Sequence, residues 1–527
     1  MIRVRQIKVP IREDNKETIL LKIARKLNIS EKDIIHYEIS KKSIDAREKN
    51  NLLYIYEIDV EVLKEEIILE KNKSIDVFIK PTEEYHFSHL GQEKLKDRIV
   101  IVGSGPAGLF CAYMLAEAGY KPILLERGEK IEDRVQTVEH FFQTNELNIH
   151  SNIQFGEGGA GTFSDGKLNT LVKDKAFRGK KVFEIFVENG APKEIMYLSK
   201  PHIGTDILRK VIISIRQKIL SFGGEIYYSS MVTNLKIEND KITGVEVNHD
   251  RIIPCEVAVL AIGHSARETF QMLKENNILM KPKNFAVGLR IEHPQKMISE
   301  SQYGKDYELL PPASYKLTYQ TKKGRGVYSF CMCPGGYVIN ASSEKGLLAI
   351  NGMSNHERDG KCANSAIVVT VSPSDFGESL FSGLEFQRQL EKKAYELGKG
   401  KIPVQLYKDY LNKETTTKLG ETPLEIQGQY SFADLNPLFS NDINSSIKEA
   451  MTSFGHKIKG FDREDAILLG VETRTSSPIM IERNEEGCTN IRGLYPCGEG
   501  AGYAGGITTA AMDGIKIAEL IAKKYSN

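Results

Sequence analysis

Three glycines, Gly103, Gly105 and Gly108, followed by a carboxylate at Glu126, are spaced to hold a pyrophosphate and a ribose. Gly103 suits a tight turn, Gly105 admits phosphate close to the main chain, and Gly108 lets a helix lie against a strand. Pro106 and Ala107 open that helix, whose first N–H groups lack partners of their own and turn a partial positive charge toward an anion. Eighteen residues after Gly108, Glu126 is placed to accept ribose hydroxyls, with Arg127 beside it. The chemistry these residues offer is dinucleotide binding.

NAD needs little beyond that unit, whereas FAD is longer and needs further chain. Two more glycine-rich segments supply it. Within residues 155–168, Gly159, Ala160, Gly161, Ser164, Lys167 and Leu168 form a loop suited to main chain packed on a flat ring, where side chains would collide. Within residues 493–508, Gly498 and Glu499 end a strand and offer a carboxylate to a ribityl hydroxyl. Gly505, Gly506 and Ile507 then open an apolar helix, whose N-terminus favours the negative charge a flavin gathers on reduction. The three segments together specify FAD.

These segments need a scaffold. Residues 99–102 predict a buried strand, 109–118 an apolar helix and 123–125 a second strand that delivers Glu126. Residues 99–119 are apolar enough for a hydropathy window to mark a membrane span, but four glycines and a proline in turn positions argue for a βαβ unit. A helix over 207–220 and short strands at 226–228, 232–237, 242–247 and 257–262 follow. Residues 1–80 read as a small α/β module, with a strand at 2–8, a helix at 16–27 and a strand at 52–60. On that last strand, Leu52, Tyr54, Tyr56, Ile58 and Val60 share an apolar face, and Glu57 and Asp59 lie on the other. Polar residues 81–97 read as a linker. The FAD-binding domain is expected over 98–270 and again over 471–527, with an inserted α+β domain at 271–470. The expected fold class is therefore α/β, a Rossmann-type FAD-binding domain with one insertion and an N-terminal module.

At 527 residues the chain can form several domains, and 71 basic against 70 acidic residues give no field that would recruit nucleic acid or an anionic membrane. Lys41, Lys42, Arg47 and Lys49 make a local basic patch, which acids in the same module balance. The N-terminal residues lack an apolar run of the secretory kind. Seven cysteines without a regular framework suit a reducing compartment, so a cytoplasmic protein is expected.

Three stretches carry a resemblance to a known family: residues 158–168, residues 261–267 (Ala261-Ile262-Gly263-His264-Ser265-Ala266-Arg267) and residues 331–336 (Cys331-Met332-Cys333-Pro334-Gly335-Gly336). The chain resembles, over nearly its full length, the bacterial group described as uncharacterised FAD-dependent dehydrogenases, within the oxidoreductases of glutathione-reductase-type flavin fold. That resemblance implies Glu126 on the adenosine ribose and Arg134 along the ribityl and phosphate region. It further implies Val232 against the adenine, Gly263 on the pyrophosphate side and Glu499 on the ribityl chain, where the wider fold usually has aspartate.

The flavin performs hydride transfer, so polar groups near its ring are the catalytic candidates. His264 and Arg267 follow the strand that ends at Gly263. Arg290 and His293, in the inserted domain, are of the type to meet an anionic substrate, as is Arg474. Cys331 and Cys333 suggest a disulfide, a metal site or plain packing before the Pro334-Gly335-Gly336 turn, and packing is the reading adopted; no metal is expected. With no second strand–glycine–helix unit, NAD(P)H has no domain of its own, although it can dock transiently at the flavin. The expected function is hydride transfer between FAD and a small organic substrate, with a protein electron donor as a further possible partner. Two other readings are a flavoprotein acting on tRNA through the N-terminal module and a non-catalytic FAD-binding redox sensor.

Overall fold

The computed structural model describes residues 1–88, 91–170 and 172–527; residues 89 and 90, which belong to the expected linker, and residue 171 lie outside it. The nucleotide-type sheet has five parallel strands in the order Leu494–Pro496, Ala258–Leu260, Val100–Val102, Ile123–Leu125, Glu225–Tyr227. These strands are only three residues long and mostly apolar, as befits a parallel sheet covered on both faces. The first helix begins at Pro106, three residues before the expected start, because Pro at N1 has no N–H to leave unpaired. It runs to Glu117 and packs against the C-terminal helix Ile507–Lys524. Small residues set that approach: a Cβ on Gly514 would lie 2.2 Å from the Ala107 carbonyl oxygen. An antiparallel meander, Val232–Glu238, Lys241–Val247 and Arg251–Pro254, adds the three-stranded layer.

A two-stranded ribbon, Met280–Pro282 with Ile479–Ile481, joins this part to a second sheet. That sheet has seven strands in the order Thr318–Gln320, Gly326–Cys333, Cys362–Val371, Phe285–Pro294, Ile467–Glu472, Ile402–Leu406, Tyr430–Phe432. All neighbours are antiparallel except the last pair. Its central strand Phe285–Pro294 is buried along almost its whole length, so its charged residues must find partners inside the protein. The helices Ser382–Leu397 and Asn441–Lys457 cover the sheet with their apolar faces.

The N-terminal module runs strand, helix, strand, strand, helix, strand, and its strands lie in the order Ile34–Asp45, Leu53–Val62, Ile2–Pro10, Val77–Ile79, all antiparallel. This is the ferredoxin-like arrangement. Asp59, on the strand face expected to be open, is buried against Arg3 at 2.7 Å, and Arg3 also reaches Glu83 in the segment that follows the module. Of the basic patch, Lys42 pairs with Asp14 at 2.8 Å and Arg47 with Asp45. Main-chain bonds from Lys42 to Tyr197 and from Ser199 to Lys42 dock the module on the body. No helix among the described residues is long and apolar enough to cross a membrane.

Candidate flavin-binding site

A cavity of about 810 Å³ opens between the ends of the parallel strands and the inserted sheet. The first glycine segment forms one end. Gly103 takes a φ of +98°, and a Cβ on Gly108 would sit 1.9 Å from the Gly103 carbonyl oxygen, so these two glycines are demanded by the turn and its packing. Gly105 differs: the nearest atom to an added Cβ is 3.9 Å away, and the residue lines the cavity. Its missing side chain leaves room for a ligand rather than for protein.

Glu126 ends its strand at the cavity wall. One carboxylate oxygen accepts from the Ser104 N–H (2.9 Å) and hydroxyl (2.7 Å); the other accepts from the N–H groups of Gly128 (2.9 Å) and Gly156 (3.0 Å). The side chain therefore ties the first glycine turn to the second glycine loop. Arg127, also in the wall, stacks its guanidinium 3.9 Å above the Phe155 ring and pairs with Glu268 at 2.6 Å.

The second loop is shaped from behind. Arg134 is fully buried and donates to five carbonyl oxygens, those of Asn152, Ile153, Gly156, Glu157 and Gly159. Burial lowers its pKa to about 9, since no carboxylate bonds it directly. It stands outside the cavity lining and acts as a clamp on the loop, a placement different from the ribityl and phosphate position implied by resemblance. Leu168 is likewise behind the wall, where its carbonyl accepts from the Thr508 hydroxyl at 2.7 Å and joins the loop to the C-terminal helix. Gly498 donates to Asp513 at 2.8 Å, and Arg483 holds the other Asp513 oxygen. Gly108, Arg134, Leu168 and Gly498 thus support the cavity without lining it; the other cofactor candidates, Gly103, Gly105, Pro106, Ala107, Glu126, Arg127, Gly159, Ala160, Gly161, Ser164, Lys167, Val232, Gly263, Glu499, Gly505, Gly506 and Ile507, line it.

Five candidates were offered for chemistry, and the structure brings His264 and Arg474 to the cavity. His264 is pushed down to about 3 by burial and by Arg474 and Arg267, so its ring is neutral. Arg474 donates to Ser265 (3.0 Å), Ser343 (2.6 Å) and Glu391 (3.1 Å). Arg267 points away to Glu391 (2.8 Å) and Glu344 (2.6 Å). Arg290 is buried in an ion pair with Glu472 at 2.9 Å, and His293 Nε2 donates to the Phe461 carbonyl, 2.6 Å away, deep in the inserted core. Arg267, Arg290 and His293 are therefore bound within the protein and do not reach the cavity.

The inserted domain contributes further residues to the wall. Phe330, Cys331 and Asn351 line the cavity from strands of that domain, joined by Arg474 and Thr475 after the strand Ile467–Glu472. Only the pairing of strands far apart in sequence brings them to the glycine loops. Across from them, Lys167 lies 3.7 Å from Asp165 with no hydrogen-bond partner for its ammonium among the described residues. Glu499 is pushed up to about 7 by burial, against the pull of Lys283 and with that of Cys331.

The residues present fit FAD. Added Cβ atoms on Gly263, Gly505 and Gly506 would meet nothing within 4 Å, and one on Gly105 only the Gly159 Cα at 3.9 Å, so bare main chain lines the cavity from the first turn to the C-terminal helix. A parallel nucleotide-type sheet with a meander, an insertion and a closing helix around such a cavity defines a flavoprotein of the glutathione-reductase-type FAD-binding fold. Residues 284–475 match the family model described as FAD-dependent protein, C-terminal domain-like, and residues 101–154 match an NAD(P)-binding Rossmann-like domain. Residues 1–61 match a domain of unknown function. An uncharacterized protein of Clostridium beijerinckii is 47% identical, the match covering 99% of each chain. The chain belongs to that protein's family, a bacterial group of FAD-dependent oxidoreductase fold. Thiamine thiazole synthase of Aeropyrum pernix is 24% identical over 36% of this chain and 62% of that one. Among solved structures, glycine oxidase of Bacillus cereus is 12% identical, with a TM-score of 0.35 over 81% of this chain and 95% of that one. L-proline dehydrogenase of P. horikoshii is 15% identical, with a TM-score of 0.33 over 81% and 93%.

Proposed function

We propose that this protein transfers a hydride between FAD and a small organic substrate held between the glycine loops and the inserted sheet. The observation that carries the reading is the cavity's two kinds of wall: bare main chain along one side, and side chains of the inserted domain along the other. FAD, when bound, supplies the two-electron chemistry. The chain's own residues supply position and charge. Asp165 is already engaged by Arg358 (2.5 Å) and Ser354 (2.5 Å), so the Lys167 ammonium is only partly neutralised and favours negative charge in the cavity. A carboxyl titrating near 7, as at Glu499, can take or give a proton at neutral pH. Arg474, fixed by Glu391 and two serines, keeps its position as the cavity fills.

A reduced nicotinamide dinucleotide docking transiently at the open side of the cavity is the electron donor we favour, although the single glycine-turn unit in the sequence gives it no domain of its own. The test is the visible spectrum of the purified protein, followed without oxygen as NADH and then NADPH are added. Flavin bands that bleach with either nucleotide are the expected result. A flavin that neither bleaches removes the nicotinamide donor and leaves electron delivery to the substrate or a protein. Colourless protein that takes up no added FAD overturns the function.

A further inference from the structure

We propose that Cys331 and Cys333 form a dithiol–disulfide couple that exchanges two electrons with the bound flavin. The inference rests on the oxidoreductase reading and extends it to a second redox centre in the same cavity. The strand Gly326–Cys333 pairs regularly with Cys362–Val371 as far as Phe330, then shifts register before Cys333. Cys331 sits in that irregularity with a φ of +45°, a left-handed conformation costly for a residue with a Cβ. Its carbonyl is held there by Arg290 Nη1 at 3.2 Å and by the Cys333 thiol at 3.4 Å. Arg290, buried and paired with Glu472, thus has a use that its distance from the cavity conceals. The result is that Cys331 lines the cavity while Cys333, two residues on, is fully buried and absent from the lining.

The two sulfurs are unlike. The Cys331 thiol is held below its usual range by the neighbouring Cys333 and by the nearby charges of Lys167 and Arg290, although burial opposes this. The Cys333 thiol, buried and donating to the Cys331 carbonyl, is pushed up by Cys331 and by burial. A thiol of lowered pKa facing a reactive cavity, backed by a buried thiol of raised pKa, is the asymmetry of an exchanging pair. Lys167, on the loop at the other wall, is the cation that both sulfurs sense. Plain packing of two small residues accounts for neither the left-handed residue nor the ammonium left without a hydrogen bond.

The electrons balance as follows. In the reductive direction, two electrons and one proton leave the reduced flavin, the Sγ–Sγ bond breaks, Cys331 is released as a thiolate beside Lys167, and Cys333 takes the proton. In the reverse direction, the thiolate and thiol close the disulfide, and the two electrons and the proton pass to oxidised FAD. The ultimate reductant is the reduced nicotinamide dinucleotide proposed above.

Trypsin should release residues 326–345, a peptide that contains these two cysteines and no other. The holoprotein is oxidised with diamide, denatured in iodoacetamide, digested and read by mass spectrometry. The expected peptide is unalkylated and about two mass units lighter than the dithiol form. In parallel, anaerobic dithionite titration of the oxidised holoprotein should consume about four electrons per flavin, against about two in Cys331→Ser or Cys333→Ser. A flavin-loaded protein whose peptide stays doubly alkylated overturns the couple and leaves the oxidoreductase reading intact. So does a disulfide that forms but adds no electrons to the titration. Protein that binds no FAD overturns both. The peptide measurement uses the unmodified chain, so a serine variant that fails to fold leaves the question decidable.

Discussion

Gly105 and Gly108 belong to one motif and answer to different neighbours. Gly108 faces the Gly103 carbonyl, whereas Gly105 faces only the cavity, with ordinary contact distance to the nearest protein atom. Gly105→Ala should therefore leave the unfolding free energy of the FAD-free protein within about 1 kcal/mol of the parent, yet weaken FAD at least about tenfold, or roughly 1.4 kcal/mol. Gly108→Ala should instead cost about 1–3 kcal/mol of stability through overpacking. Urea unfolding and FAD titration by flavin fluorescence measure the two effects separately. Equal loss of stability in both variants would contradict the assignment. The residue scale also shows where type alone misleads: Arg134 has the charge of a phosphate ligand but spends its donors on five carbonyls of the glycine loop.

At the scale of elements, that loop is held between two domains, and Asp165 is the join. Its carboxylate accepts from Arg358 and Ser354 of the inserted domain. Burial works to raise its pKa, but the charges of Lys167 and Arg358 and the hydrogen bonds of Arg358 and Ser354 outweigh it and hold the carboxyl at about 2. A carboxyl whose folded pKa is depressed contributes stability that is present above its unfolded pKa of 3.8 and is lost as pH falls through the folded value. For Asp165 this amounts to about 2–3 kcal/mol, lost between roughly pH 4 and pH 2. Urea unfolding across that window should show the decline in the parent and a shallower one in Asp165→Asn, which is also expected to be less stable at neutral pH because Arg358 loses its partner. Equal slopes in the two proteins would rule the ion pair out as the source.

At the scale of the whole molecule, the flavin cavity is walled by the glycine turns of the Rossmann-type domain and by Phe330 and Cys331 of the seven-stranded sheet, and each sheet has its own hydrophobic core. Buried polar contacts cross the same boundary: Arg474 donates to Ser265, and Arg267 pairs with Glu391 and Glu344. A ligand seated in that cavity stabilises both cores together. FAD at a hundred times its Kd should add about 2.7 kcal/mol, and calorimetry should show the transitions of both cores move upward. If only one transition moved, the cofactor would be held by one domain alone.

Local sequence was enough to define FAD as the cofactor and to mark the three glycine-rich segments that meet at the cavity. Those features are local: turns need glycine, a buried parallel strand needs a run of β-branched residues, and a ribose needs an acid at a fixed distance after the first turn. Most of the glycines and Glu126 accordingly lie in the cavity wall. The tertiary structure alone decided the opposite wall. Arg290 and His293 resemble substrate ligands on paper, but the central strand that bears them is buried, Arg290 is paired with Glu472, and His293 Nε2 donates to the Phe461 carbonyl inside the core. Cys331 reads as a packing residue until the register shift beside Phe330 turns it to the cavity and the loop bearing Lys167 comes to lie across from it. Such groups meet only when a loop of the Rossmann-type domain and a strand of the inserted sheet, far apart in sequence, come together around one cavity, and no spacing within a single segment records that meeting.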